Sequence, residues 1–334
     1  MVSDTFGARN SGYRLPATGY RLPVTGGRQP VTRHNSWSMR TFLKWVGRIV
    51  GGLVILIIIA VGTVYALAER KLNGTTYTTA TDSLSIPNDA ASIEHGRHLV
   101  AAVGKCAACH GQNLGGELAL DDPAFARLTA PNITPSKAGV GAKSNADLVR
   151  SIRYGVRSDG KSLIFMPSEA FNRFSDRDLA AIIAYLRTVP PVDAAPPPKR
   201  SVGPIGRALL AFGVLKLPAE IVRRGSNRLP DVPEGATREY GDYLVTTGGC
   251  TGCHGESLSG GREIDGVPAA NLTPAALGKW TEADFVKAIR NGVRPDGRIL
   301  SAVMPWPLMK ELSDTELSAM WMYLRSIPAR ETGK

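Results

Sequence analysis

A chain of 334 residues is long enough for two ordinary domains, and 43% hydrophobic residues exclude an intrinsically disordered bulk. The formal net charge is +11, but residues 1–68 hold eight Arg/Lys against one acid, Asp4, while the other 266 residues carry 32 basic and 28 acidic groups. The folded part therefore lacks the excess that a basic nucleic-acid-binding face requires, and no nucleic-acid partner is expected.

Residues 12–32 read GYRLPAT, GYRLPVT, GGRQPVT, three tandem sevens without apolar periodicity. Residues 1–38 are thus expected to be a disordered leader, or untranslated if synthesis begins at Met39. From Ile49 to Ala68 run twenty residues without a charge. At ~1.5 Å per residue such a run is about 30 Å of helix, one hydrocarbon core. Arg40, Lys44 and Arg48 precede it, which favours a cytoplasmic N-terminus and export of everything after residue 70. Ala66-Leu67-Ala68 has the small-x-small form of a cleavage site, but the apolar run exceeds the ~7–15 residues of a signal-peptide core. Residues 40–70 therefore read as a single uncleaved transmembrane helix.

The rest of the chain repeats itself. CAACHG at 106–111 returns as CTGCHG at 250–255, APNITP at 130–135 as AANLTP at 269–274, SIRYGVRSDGKSL at 151–163 as AIRNGVRPDGRIL at 288–300, and LAAIIAYLRTVP as LSAMWMYLRSIP. The order is conserved and the offset drifts by a few residues, so these are two copies of one domain. They are placed at 90–192 and 237–330, with a Pro-rich linker and an apolar-faced helical segment (IGRALLAFGVLKLPAEIV) at 193–236 between them. Each copy reads as a first helix ending at C-x-x-C-H, a long loop, a helix N-capped by Ser144 or Thr281, and a last helix opened by Ser175 or Ser313 and stopped by Pro190 or Pro328. Gly96 and Gly241 are expected where the first helix meets the last, against Tyr185 and Tyr323. No run alternates long enough to predict a sheet. The class is all-α.

The four cysteines, Cys106, Cys109, Cys250 and Cys253, all lie in the two C-x-x-C-H motifs. A structural zinc needs four N/S ligands, and each copy offers three within five residues with no second pair nearby. A redox dithiol wants a βαβ context and has no use for a His directly after the second Cys. Covalent haem attachment uses every residue: two thiols on one turn form thioethers with the haem vinyls, and His110 or His254 then binds iron. Two c-type haems are expected. Each copy also has a Met-Pro at a matched place, Met166 and Met304, whose thioethers would supply the sixth ligand. Met309 has no counterpart in the first copy, and Met320 and Met322 read as core filler. His95 and His98 are matched by Tyr240 and Tyr243, so they read as packing residues rather than bis-His ligands. The Asn-x-Thr-Pro blocks face a propionate or cap a turn, and Arg153 and Arg290 either neutralise propionates or line a solvated helix face.

These motifs in this order resemble the haem domains of the cytochrome c subunits of membrane-bound alcohol, aldehyde and gluconate dehydrogenases, over roughly residues 92–191 and 237–329. The resemblance implies a class I cytochrome c fold with His/Met iron at Cys106, Cys109, His110, Met166 and at Cys250, Cys253, His254, Met304. Those subunits usually carry three haem domains where this chain has two, and SLIFMP departs from the aromatic-Pro-Ala-Met-Pro form common among them. The function expected is a membrane-anchored electron carrier on the periplasmic side of the bacterial inner membrane. It would work between a dehydrogenase or quinol-oxidising complex and a terminal acceptor such as an oxidase. The alternatives are a cytochrome subunit of a dehydrogenase complex or a dihaem peroxidase-type enzyme; the latter needs an open iron where both copies offer Met.

Overall fold

The computed structural model describes residues 19, 39–80, 83–193, 198–222 and 228–334. Apart from Gly19, the predicted leader with its tandem sevens lies outside the described residues. The chain divides into two compact units, Met1–Ile55 and Leu56–Lys334.

Helix α1 spans Met39–Glu69 and runs on as a π-helical turn, Arg70–Gly74. Its apolar window has a mean hydropathy of 2.6, and the helix is long and apolar enough to cross a membrane. Arg48 sits 5.6 Å over the ring of Trp45 near its start.

The first repeat contains α2 (Ala90–His98) with a π-helical turn Leu99–Val103, α3 (Ala107–His110), strands β1 (Glu117–Asp122) and β2 (Ala126–Ala130), and helices α4 (Asn145–Tyr154), α5 (Ser168–Phe171) and α6 (Asp176–Thr188). The connecting segment holds β3 (Ser201–Val202), α7 (Pro204–Ala211) and α8 (Pro218–Val222). The second repeat contains α9 (Arg238–Thr247), α10 (Cys250–His254), β4 (Glu263–Ile264), β5 (Val267–Pro268), α11 (Pro274–Leu277), α12 (Glu282–Asn291), α13 (Trp306–Met309) and α14 (Asp314–Ser326). The fold is mostly helical, as expected.

The expectation of no sheet needs correcting. Strands β1, β2 and β3 form a three-stranded antiparallel sheet, with β1 bulged between Leu118 and Leu120, and β4 and β5 form a second hairpin. Strand β1 is exposed on both faces, so it never shows the alternation that burial of one face imposes. The β4–β5 turn at Asp265-Gly266 has positive φ at both residues (49° and 75°), the geometry that an Asp-Gly pair favours. The longer hairpin of the first repeat explains why the offset between repeats drifts.

In both repeats the first helix crosses the last at a glycine. A Cβ on Gly96 would lie 2.0 Å from the Ala181 carbonyl oxygen, and one on Gly241 would lie 1.9 Å from that of Ala319. Tyr185 and Tyr323 flank the two crossings, as the repeat pattern predicts. Ser144 with Asp147 and Thr281 with Asp284 form reciprocal capping boxes, which start α4 and α12. One continuous apolar core joins both repeats, with Leu99, Phe174, Leu179 and Ile183 from the first and Leu244, Phe285, Leu317 and Leu324 from the second.

Candidate functional site

In each repeat the C-x-x-C-H motif lies on one short helix after the glycine-crossed helix, with Cys106 as the N-cap of α3 and Cys250 the first residue of α10. Successive thiols therefore stand one turn apart, with the histidine on the next position of the same turn. His110 Nδ1 donates to the Pro131 carbonyl at 2.7 Å, and His254 Nδ1 donates to the Ala270 carbonyl at 2.7 Å. Each such bond fixes the tautomer and leaves Nε2 with its lone pair, the form a metal ligand needs. Burial pushes both imidazoles below their ordinary pKa, so both are held neutral.

The two carbonyls are site features that sequence reading missed. They precede the Asn of each Asn-x-Thr-Pro block. Asn132 Oδ1 accepts from the Thr134 amide (2.8 Å) and hydroxyl (2.7 Å), and Asn132 Nδ2 donates to the Val192 carbonyl at 2.7 Å. In the second repeat Asn271 accepts from the Thr273 amide at 2.8 Å and donates to the Arg330 carbonyl at 2.7 Å. The block thus caps a turn, ties down the chain after the last helix, and holds the carbonyl that orients the histidine. Its matched order after each C-x-x-C-H was the available signal.

Next comes the Val-Arg-x-Asp-Gly block, a tight β-bridged turn. Val156 bridges Ser162 and Val293 bridges Ile299, with Gly160 and Gly297 at φ 78° and 81°. The Arg157 guanidinium beside Asp159 holds that carboxyl down at about 2. This turn launches the Met-Pro segments. Met166 and Met304 are half-buried and pack on the core. In the first repeat a cavity of about 640 Å³ is lined by Cys106, Cys109, His110 and Met166 together with apolar Val140, Phe171 and Ile182. A volume of that size lies within the ~300–1,000 Å³ of cofactor sites. Histidine and methionine face one largely apolar space behind a pair of thiols, which fits an attached macrocycle.

The rival chemistries fare worse. Among the described residues no three His, Cys, Asp or Glu side chains converge as a cation site. Burial pushes the Cys106 thiol up to about 11, and those of Cys109 and Cys250 upward as well, whereas a redox dithiol needs a lowered pKa.

Several expectations are corrected. Arg153 does not line a solvated face: it is 1% exposed and binds Asp176 at 2.9 Å, while the part-exposed Arg290 binds the Lys310 carbonyl at 2.7 Å and Asp314 at 2.6 Å. Both anchor the start of the last helix. Met320 is core, as expected, but Met322 is 45% exposed because it falls on the outer face of α14; the unmatched Met309 is core filler.

His95 and His98 pack at the interface between repeats. His98 Nε2 bonds Glu316 at 2.8 Å, and Tyr243 Oη donates to Asp178 at 2.5 Å. Glu316 and Asp178 occupy matched places, as do His98 and Tyr243, so the two contacts are related by an approximate two-fold. His95 and Tyr240 bind the same two carboxylates within their own repeats, at 2.7 and 3.5 Å. Between the motifs, the part-buried Lys105 donates to the carbonyls of Val103 (2.7 Å) and Gly248 (2.8 Å), two residues before Cys250.

The hydrogen bond that His98 donates to Glu316 raises the His98 pKa, with burial opposing it. Burial alone would raise Glu316, but His98 and Ser313 hold it below its ordinary value. The His98 contribution is complete below its unfolded pKa of ~6.5 and is lost as pH climbs through the raised folded value; the Glu316 contribution is lost as pH falls below ~4.5. His98→Gln is therefore expected to cost about 1–3 kcal/mol near pH 5.5 and less above pH 8. Calorimetric melting across that range checks it, and a cost that does not fall with rising pH refutes the assignment.

With the geometry described, comparison with known proteins gives the class. A family model described as cytochrome c oxidase, cbb3-type, subunit III matches residues 91–186, and one described as cytochrome c matches residues 239–328. The chain carries two cytochrome c domains in tandem, and its cofactors are two c-type haems with iron. It is 32% identical over 270 residues, 73% of its length, to the fructose dehydrogenase cytochrome subunit of Gluconobacter japonicus, covering 54% of that protein. It is 28% identical, over 80% of its length and 61% of the relative, to the alcohol dehydrogenase (quinone) cytochrome c subunit of Gluconacetobacter polyoxogenes. It is 28% identical to a diheme cytochrome c-type protein of Cereibacter sphaeroides, with 68% of this chain and 83% of that one aligned. The chain spans about half the length of the first of these relatives.

Proposed function

We propose that this chain is a membrane-anchored dihaem cytochrome c that accepts electrons from a membrane-bound dehydrogenase and delivers them to a terminal acceptor. The observation that carries the reading is the pairing of His110 and Met166 across one cavity behind Cys106 and Cys109, with the same residue order at Cys250, Cys253, His254 and Met304. The cysteines would hold the haems covalently, and His110 with Met166 and His254 with Met304 would hold the irons. The haems supply a one-electron Fe(III)/Fe(II) couple. The protein's part is to hold both ligands in a packed, largely apolar site, so that little moves when the charge changes. The cytochrome domains extend over residues 90–192 and 237–330.

Lys105 ties the loop bearing Cys106 to the loop bearing Cys250, which supports electron passage between the two domains through this contact. The names of the fructose and quinone-dependent alcohol dehydrogenase relatives support a dehydrogenase as the donor; a quinol-oxidising complex is the alternative. Helix α1 is the anchor, single-pass in the cytoplasmic membrane, with the haem domains on the periplasmic side, which the basic residues ahead of the span support. The test is carbon monoxide binding by the reduced holoprotein with the pigment quantified. Two haems per chain with no carbon monoxide complex are expected. Rapid binding at either iron overturns the carrier reading in favour of an open, enzyme-type site.

A further inference from the structure

The connecting segment between the domains is not absorbed by the electron-transfer reading. α7 and α8 enclose a turn at Phe212-Gly213, where Gly213 adopts φ 72°. One face is packed. Leu210 and Leu217 are buried against Ala68 and Leu72, at the end of α1 and in the π turn after it, with Leu215, Val202 and Ile164 closing the cluster. Ala68 and Leu72 stand four residues apart on the side of the chain that faces this segment. Polar clamps flank the contact. Arg207 binds Glu69 at 3.0 Å and lies 5.1 Å over the Tyr65 ring, and Lys71 pairs with Glu220 at 3.4 Å.

The other face is bare. Phe212 and Val214 are each 74% exposed, and Ile205 and Ile221 are exposed as well. Four large apolar side chains within 17 residues are more than scattered surface hydrophobics account for. The exposed Lys216 stands among them, whereas Arg207 is taken up by Glu69 and Tyr65 and Arg200 lines the cavity of the first repeat.

We propose that this face is a second membrane contact, an interfacial helical hairpin that seats Ile205, Phe212 and Val214 in the outer headgroup and acyl boundary. The inference rests on reading α1 as the membrane span. The segment is clamped to α1 from Tyr65 to Leu72, the last turn of the apolar run and the first turn beyond it. At ~1.5 Å per residue that stretch rises about 10 Å, comparable to the ~5–10 Å interfacial layer in which such helices lie. An element fixed at that height meets lipid, and the exposed Lys216 beside Val214 suits anionic headgroups. The contact would restrain the first cytochrome domain at the bilayer instead of leaving it on a free tether, because β3, just ahead of α7, is the third strand of that domain's sheet.

The test uses the full-length holoprotein in vesicles of phosphatidylcholine and phosphatidylglycerol. Spin labels are attached at Phe212→Cys and, in a separate variant, at Val61→Cys in α1. Both positions are exposed, so neither label disturbs packing. Collision accessibility to oxygen and to a water-soluble nickel chelate is read by electron paramagnetic resonance. Oxygen-favoured accessibility at both labels is expected, with position 212 shallower. A lipid-embedded label at 61 with a fully aqueous label at 212 overturns the interfacial contact and leaves the span intact. An aqueous label at 61 overturns the reading of α1 itself. A label at 212 that is aqueous in vesicles of the pure chain, and shielded only after a dehydrogenase is added, assigns the face to a protein partner and also overturns the proposal.

Discussion

Gly241→Ala is expected to collapse the second cytochrome domain. The added methyl would sit 1.9 Å from the Ala319 carbonyl oxygen and 2.5 Å from its carbon, and both belong to backbone, so no side chain can swing away. Helices α9 and α14 must separate and open the core around Leu244, Leu317 and Leu324. Alanine gains about 1 kcal/mol of helix propensity over glycine, whereas forced overpacking costs typically 1–3 kcal/mol and more when backbone must move. The clash wins, and a net loss of about 3 kcal/mol would lower the melting temperature of a domain this size by roughly 12–24 °C. Calorimetry of the holoprotein measures it. Gly252→Ala is the internal control: nothing lies within 4 Å of the place its methyl would take, and Ala108 already stands at the matched position in the first repeat. Equal melting of the two variants would contradict the tight crossing. Gly96→Ala, facing Ala181 at 2.0 Å, should behave like Gly241→Ala in the first domain.

Met304→Ala and Met166→Ala are each expected to open one iron and leave the other closed. Both methionines lie half-buried at the ends of matched turns, on the edge of the core and not within it, so truncation is expected to remove a ligand without unfolding a domain. Loss of a thioether ligand should lower the potential of that haem by on the order of 0.1 V or more, a fraction of the ~0.8 V range that axial ligation spans. Each variant should bind carbon monoxide at half the haem content, and the double variant at all of it. Redox titration and carbon monoxide difference spectra give both readouts. A variant that stays low-spin, keeps both potentials and binds nothing would refute that axial assignment.

The prosthetic-group chemistry was legible in the sequence because it is local. Two thiols and an imidazole within five residues lie on one turn whatever the rest of the chain does, and their repetition at Cys250 made coincidence untenable. The helices were legible for the same reason: capping serines and threonines, apolar residues at helical spacing, and stopping prolines act over a few residues. The glycine crossings were legible because the repeat placed Gly96 and Gly241 opposite tyrosines on the last helix. The β1–β2 hairpin was not, since an exposed hairpin imposes no alternation.

What the tertiary structure alone decided is what depends on partners far apart in the chain. Arg153 and Arg290 sit at matched places on their helices, and only the fold shows that they reach Asp176 and Asp314 at the start of the last helix of each repeat. His95 and His98 look like alternative ligands, yet they meet carboxylates at the interface between repeats, and His98 reaches one 218 residues away. The carbonyls of Pro131 and Ala270, which orient the two histidines, are backbone groups marked in the sequence only by the Asn-x-Thr-Pro block that follows each. By itself the sequence determined that this protein carries two C-x-x-C-H motifs in two like helical domains behind one apolar helix. Only the fold decided how the domains join, through a pseudo-symmetric polar interface and Lys105, because burial and long-range pairing of charges are properties of the packed chain and not of its local pattern.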